Sequence, residues 1–388
     1  MSKISWHLIS GRNLDFRSSI GSYTLNLSQG LSEAGCEVHL WFSPGQEVPV
    51  IPQEFKGKIH IQRVPFSWNA KAFQFLGEAL DEHPGQKRLF VQFSPDSFGE
   101  REWNLALPGW LEKRQSQGDD LWLMVHKTFK PGLRFYRFGR WLVTFLQKRM
   151  LRKTLGVSRR VFVSTPNLIP FLKELRPEID SKITWIPIPG NVKIVKNSQR
   201  ALNLRKAFAQ NATSVIGTFG SYRDKKLTRL LKIMVPGILS GHPDRVWLCL
   251  GRESEPLVVK LRKDFPDIAS QMEIGGELDP EALSAHIQAC DLMLQPFPDG
   301  VDTSRTSVMV GLSHGRPVAT TIGSATETVW RQTGCVSLCP GDRPDVMAET
   351  VGHLLDDEAG LEALAKTGAR TYQERFSLTC CIASLTDS

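Results

Sequence analysis

The chain has 388 residues, 41% hydrophobic and 23% charged, which is the balance of an ordinary soluble globular protein of two-domain length and excludes a disordered or fibrous one. No apolar run reaches the roughly 18 to 20 residues of a membrane span, and the opening Met1-Ser-Lys-Ile-Ser-Trp-His lacks a signal-peptide core. Seven cysteines, an odd number without Cys-x-x-Cys pairs, read as reduced thiols of a cytosolic protein. The net charge of +8 is unevenly spread. Leu121 to Lys173 contains no Asp or Glu, while Lys127, Lys130, Arg134, Arg137, Arg140, Lys148, Arg149, Arg152, Lys153, Arg159 and Arg160 accumulate there. Such a field attracts an anionic partner, and charge alone does not choose between nucleic acid, lipid headgroups and a phosphorylated substrate.

In chain order, Ile4–Ile9 reads as a strand, followed by a polar loop and a helix carrying Tyr23, Leu27, Leu31 and Ala34 to a stop at Gly35. Strand patterns recur at Glu37–Phe42, Ile59–Val64, Arg88–Phe93, Leu121–His126, Arg160–Ser164 and Ile183–Ile186, mostly with helix-length stretches between. The proline- and glycine-rich segment from Pro187 to Ser198 then interrupts the pattern and reads as a connection. The alternation restarts with Ser214–Phe219, the helix Lys225–Leu239, and strands at Val246–Leu250, Gln271–Ile274, Asp291–Gln295, Pro317–Thr321 and Val336–Leu338. Glu358 to Leu385 is helical with a break near Phe376-Ser377.

Alternating strands and helices predict an α/β protein of two doubly wound Rossmann-like domains facing across a cleft. The expected division is residues 1–190, a linker at 191–204, a second domain at 205–370, and a C-terminal helix at 371–388 that crosses back to the first domain. Ligands of open α/β sheets bind outside the carboxyl ends of the strands. Architecture alone leaves dehydrogenases, epimerases, binding proteins and glycosyltransferases open.

The most informative block runs from Gly276 through Ala289-Cys-Asp291, Pro296-Phe-Pro-Asp-Gly-Val301 and Asp302-Thr-Ser-Arg-Thr-Ser307 to Gly315-Arg-Pro-Val318. It reads as a helix, a buried strand, a polar loop and a second helix beginning near Ser304 to Thr306. Free amides and hydroxyls at that helix start form an anion site, to which Arg305 can add a bidentate contact. These parts, in this order, resemble the donor-binding half of the retaining GT-B glycosyltransferases of the family 4 type. The likeness extends to Ser19-Ile-Gly-Ser-Tyr23, Val161-Phe-Val-Ser164 and the basic loop Gly220-Ser-Tyr-Arg-Asp-Lys-Lys226. It departs from the family's Glu-x7-Glu pattern: the first position falls on Asp302 and the second on Val310, so no carboxylate remains for the donor ribose.

The resemblance implies a glycosyltransferase that moves a sugar, with retention, from a nucleotide-diphosphate sugar to a glycan or lipid-linked acceptor in polysaccharide or glycoconjugate biosynthesis. It gives Asp299 and Asp302 catalytic positions and assigns the donor diphosphate to Gly21, Arg223, Lys225, Lys226, Ser304, Arg305, Thr306 and Ser307. Gly251, Arg252 and Glu277 fall on the nucleotide side. Catalysis would rest on stabilising the departing diphosphate, with no cofactor and no metal requirement. His126, ending the strand Leu121–His126, is the acceptor-side catalytic candidate. On a helix at about Leu133 to Leu155, Phe135, Gly139, Leu142, Leu146 and Met150 are expected to face the sheet. The opposite face interleaves Arg134, Arg137, Phe138, Trp141, Phe145, Lys148 and Arg152, which suits an anionic membrane surface met through residues 134–152. The protein is therefore expected in the cytoplasm, with a peripheral place on the inner membrane face as the finer reading. A sugar-nucleotide epimerase or non-catalytic sugar-nucleotide binder is the alternative within the fold. A nucleic-acid-binding protein is the remote one, and nucleic acid is not an expected partner because no recognition motif is present.

Overall fold

The computed structural model describes residues 4–11, 19–42, 53–95, 97–99, 102–128, 138–195, 198–208 and 213–387. The chain divides into two compact units, Met1–Pro187 with Cys381–Ser388, and Ile188–Cys380.

Unit 1 is built on a seven-stranded sheet: β1 (Ser5–Ser10), β2 (Glu37–Phe42), β3 (Ile59–Arg63), β4 (Lys87–Phe93), β5 (Asp120–Val125), β6 (Arg160–Val163) and β7 (Ile183–Trp185). The spatial order is β3-β2-β1-β4-β5-β6-β7, and every pair is parallel. Parallel sheets are covered on both faces, so their strands are predominantly apolar, as Leu121 to Val125 of the fully buried β5 illustrate. One face carries the edge-to-face cluster Trp6, Phe90, Trp122 and Phe162. The other packs Ile9, Trp41, Val91 and Phe93 with Phe73, Leu76 and Leu80 of the helix Ala70–Asp81. That helix starts where Asn69 accepts hydrogen bonds from the Lys71 and Ala72 amides.

Unit 2 holds a six-stranded sheet: β8 (Ser214–Ser221), β9 (Arg245–Arg252), β10 (Met272–Gly276), β11 (Leu292–Gln295), β12 (Val318–Ile322) and β13 (Ser337–Pro340). The order is β10-β9-β8-β11-β12-β13, again parallel throughout. The expected α/β class with two doubly wound parallel sheets is thus the observed one.

Two expectations need revision. The helix Ser198–Phe208 occupies the later part of the stretch read as a linker, and Arg205 ties it into unit 2 through Asp291 at 2.6 Å. The helix near Leu133 to Leu155 runs from Phe138 to Val157, with residues 133–137 outside the described set. Its buried side is Gln147, Met150, Leu151, Thr154 and Leu155, while Leu142, expected inside, is 45% exposed beside Trp141 and Phe145. Counting in steps of four overshoots the helical repeat by ~40° per step, so Leu142 drifts ~80° from Met150. The C-terminal stretch is helical as expected, with a π turn at Tyr372–Phe376 and the break at Ser377 between the helices Glu358–Thr371 and Leu378–Thr386. The last of these contributes Cys381 to unit 1, where its thiol donates to the Pro187 carbonyl at 3.3 Å.

Candidate functional site

In a doubly wound sheet the ligand crevice opens where successive crossovers diverge to opposite sides. In unit 2 this point lies between β8 and β11, because the chain runs outward through β9 and β10 before returning to β11. The loops leaving β8 (Tyr222 to Asp224) and β11 (Pro296 to Arg305) therefore emerge side by side. Together with the first turns of the helices that follow them, they carry most of the residues singled out in the sequence.

The β11 loop is fixed from within. The Asp302 carboxylate accepts from the Ser304 amide at 2.8 Å and the Ser304 hydroxyl at 2.5 Å, a local Asx turn that aims the chain into the helix Thr306–Ser313. Thr303 is anchored to Glu327, in the loop after β12: the Thr303 amide and hydroxyl donate to it at 2.8 and 2.6 Å, and Trp330 Nε1 donates at 2.7 Å. Gly300 has φ +91°, and a Cβ there would meet the Gly323 amide nitrogen at 2.4 Å, so the two loops touch backbone to backbone. Gln295, at the end of β11, donates to Ser307 Oγ at 3.1 Å and exchanges two bonds with the Phe219 backbone.

The hydroxyls of Ser304 and Ser307, expected to face a ligand, are thus already engaged within the protein. What remains free is backbone: among the described residues, no acceptor is found for the Thr306 and Ser307 amides that open the helix. Unsatisfied amides at a helix start carry partial positive charge and suit an anion. Arg305 is not free either. Its guanidinium pairs with Asp299 at 3.2 Å through both carboxylate oxygens, approaches Asp302 at 3.4 Å, and lies over the Phe297 ring at 4.6 Å. An incoming phosphate has to compete with Asp299 for this arginine.

The flanking loops are also paired. Arg223 donates to Glu253 at 2.6 Å, and Ser221 adds a bond to the same carboxylate. Glu253 is one of two non-glycine residues in the left-handed region among the described residues (φ +57°), a strained conformation of the kind that clusters at ligand sites. Gly251 (φ +105°) lies against the Gly220 carbonyl in the β8–β9 pairing, where a Cβ would fall 2.1 Å from that oxygen, leaving no room for a side chain. Arg252 pairs with Glu277 at 3.3 Å. Lys225 and Lys226 are exposed in the first turn of the helix Lys225–Leu239, capped by Asp224. Val310 is fully buried in the helix Thr306–Ser313, so nothing at that position can receive a ribose hydroxyl.

In unit 1, His126 follows β5. Its Nε2 lies 2.9 Å from Gln92 Oε1, and its ring stands edge-on to Tyr23 at 5.3 Å. Burial, with Lys127 adding repulsion, lowers its pKa to about 3. The imidazole is therefore neutral at physiological pH and acts as a hydrogen-bonding group; as a base it is weak. Gly21 lies in the first turn of the helix Ser19–Glu33, where a loop was expected.

Sequence reasoning missed Glu327. Its signal was available, a carboxylate following Gly323 in the loop after a buried strand, but its partner Thr303 is 24 residues away.

Such a unit, a doubly wound domain with an anion-ready helix start at its switch point, is a nucleotide-binding architecture of the Rossmann-like class. Residues 213–357, most of unit 2, match the family model described as Glycosyl transferases group 1. Among solved structures, the chain resembles Anabaena Alr3699/HepE in complex with UDP, at 12% identity and a TM-score of 0.67, covering 99% of this chain and 98% of that one. It resembles WaaG, a glycosyltransferase involved in lipopolysaccharide biosynthesis, at 13% identity and 0.64, covering 99% and 100%. The sucrose-phosphate synthase of Thermosynechococcus elongatus gives 15% identity and 0.68, covering 99% and 98%. No curated protein matches the sequence. The fold is GT-B, and residues 213–357 of unit 2 carry the match to the group 1 glycosyltransferases.

Proposed function

We propose that the protein transfers a sugar from a nucleoside-diphosphate sugar held by unit 2, its diphosphate seated on the Thr306 and Ser307 amides. The observation that carries this reading is the pair of amides without an acceptor, placed at the switch point of β8 and β11 and held there by Asp302 and Glu327. The complexes of Anabaena HepE with UDP and with UDP-glucose support the donor class. As the glycosidic bond breaks, negative charge grows on the leaving diphosphate. Preorganised amides and Arg305, released from Asp299 by the incoming phosphate, would stabilise that charge. Lys225, Lys226 and Arg223 add positive field at the neighbouring loop, and the reading invokes no metal ion or cofactor here. We assign acceptor recognition to unit 1, with His126 as a neutral hydrogen-bonding partner of a hydroxyl, and take a glycan or lipid-linked acceptor and retention of configuration as the working expectation.

Location follows the same reading. Among the described residues no helix is long and apolar enough to cross a membrane. The helix Phe138–Val157 exposes Trp141 (62%), Leu142 and Phe145 beside Arg149, Arg152 and Lys153, a pattern suited to the interface of an anionic bilayer on the cytoplasmic side. Arg134 and Arg137, part of the same expectation, lie outside the described residues.

The test is a thermal-shift panel of nucleoside diphosphates and their sugar conjugates, followed by product analysis with the conjugate that binds. Saturation at a hundred times Kd stabilises by about 2.7 kcal/mol, a shift easily read. Failure of every nucleotide to shift the transition removes the donor site. Binding with epimerised sugar instead of transfer would favour the epimerase reading, which the loss of a carboxylate at Val310 motivates.

A further inference from the structure

Unit 1 concentrates four of its histidines toward the amino-terminal side of its sheet. His7, His39 and His60 occupy matched positions on β1, β2 and β3, paired His7 with His39 and His39 with His60 across the parallel strands. Their rings form a stack, with centroids 4.6 Å apart for the first pair and 4.7 Å for the second. His83, just beyond the helix Ala70–Asp81, stands edge-on to His39 at 4.5 Å. Glu37, two residues before His39 and on the same face of β2, accepts from or pairs with His39 Nε2 at 3.0 Å.

The row is graded from inside to outside. His7 is fully buried and satisfied, with Ser5 Oγ on Nε2 and Trp41 Nε1 donating to Nδ1. His39 is buried too, but its Nδ1 has no hydrogen-bond partner, an uncommon state for a buried polar atom. His60, on the edge strand, and Glu37 are exposed. One ligand atom from each of Glu37, His39 and His60 lies within 4.8 Å of the others.

We infer that Glu37, His39 and His60 form a binding site for a divalent transition metal, with Zn2+ the best match. Metal–nitrogen and metal–oxygen bonds of about 2.0–2.2 Å place tetrahedral ligand atoms roughly 3.4 Å apart. The present spread exceeds that by little more than an ångström. Glu37 and His60 sit at the exposed margin of the sheet and can close the distance by side-chain rotation, while β2 holds His39 still. Two imidazoles and one carboxylate favour zinc, nickel or cobalt over magnesium and calcium, which prefer all-oxygen shells. A water or His83 completes the shell. The site lies toward the amino ends of β1 to β3, whereas His126 of the same unit follows the carboxyl end of β5, so its role is to clamp the edge strand β3 to β2, and it does not rest on the transfer reading.

The test uses full-length, tag-free protein stripped with EDTA and dialysed. Titration with Zn2+ should show one site per chain, and binding should raise Tm. His60→Ala and Glu37→Ala, both at exposed positions, should weaken binding by at least about tenfold, the low end of what losing even a supporting partner of a metal ligand costs. Co2+ in place of Zn2+ should give a d–d spectrum free of thiolate charge transfer, which separates this site from Cys36 next door. Absence of stoichiometric uptake, a thiolate band, or unchanged affinity in both variants would each overturn the assignment.

Discussion

Replacing Glu327 with alanine isolates the contact on which the donor loop hangs. Its carboxylate receives three donors: Oε2 takes the Thr303 amide and Trp330 Nε1, and Oε1 takes the Thr303 hydroxyl. Thr303 and Trp330 are fully buried, so in the alanine variant these donors lose their acceptor away from solvent. An orphaned buried donor costs about 1–3 kcal/mol, and water entering the vacated space recovers part of it, so the loss should be about 3–5 kcal/mol. That is a large fraction of the roughly 5–15 kcal/mol available to a folded domain. Glutamine makes the informative contrast. With its carbonyl in the Oε2 position two of the three bonds survive, and the Thr303 hydroxyl can rotate to accept from the new NH2 group, so Glu327→Gln should cost only about 1 kcal/mol. Urea unfolding of both variants measures the difference, and titration with a nucleoside diphosphate reads the function. The alanine variant should bind at least about tenfold more weakly, because a loop no longer held by Thr303 must be ordered on binding. An alanine variant within about 1 kcal/mol of wild type, with unchanged nucleotide affinity, would refute the reasoning.

Asp299→Asn removes the competitor for Arg305, so diphosphate affinity should rise a few-fold while turnover falls, and equal affinities in titration calorimetry would sink the idea that Asp299 holds the arginine in reserve. Gly300→Ala puts a methyl group into the Gly323 backbone at a positive φ, and should lower stability by more than about 1 kcal/mol with a matching drop in nucleotide affinity, checked by denaturation and titration. His126 contributes a defined acid sensitivity. Its pKa is about 3 in the fold against 6.5 in the unfolded chain, so the unfolded state takes up a proton first as pH falls. Stability held above pH 6.5 is lost progressively toward pH 3, by about 2 kcal/mol at pH 5, and His126→Gln should flatten that part of the stability profile measured by urea titration. Trp141 and Phe145 carry the membrane reading: their double replacement by serine should abolish co-sedimentation with anionic vesicles at low salt without changing Tm.

The sheets were legible because parallel strands buried on both faces must be apolar along their whole length. Leu121 to His126 and Asp291 to Gln295 announce themselves for that reason. The helix start at Thr306 was also legible from the polar run Asp302-Thr-Ser304 before it, although that run forms an Asx turn and the N-cap residue, Arg305, makes no side-chain cap bond. Hydroxyl orientation was not. Ser307 turns toward Gln295 and Thr303 toward Glu327, choices made by partners 12 and 24 residues away. The occupancy of Arg305 by Asp299 is equally invisible in a string, because a carboxylate six residues earlier reads the same whether it points at the arginine or at solvent. The phase of the basic helix was misread for a geometric reason, since a four-residue stride from Met150 loses the true face by Leu142. The histidine row escaped notice because His7, His39 and His60 become neighbours only through the register of β1, β2 and β3.

Sugar transfer by unit 2 requires a diphosphate seated at the start of the helix Thr306–Ser313. Hydrogen exchange of the full-length protein with and without a saturating nucleoside diphosphate tests this directly. Amides in the segment from Asp299 to Met309 should exchange markedly more slowly in the complex, with Thr306 and Ser307 among them. Binding that protects other segments and leaves this one unchanged would contradict it.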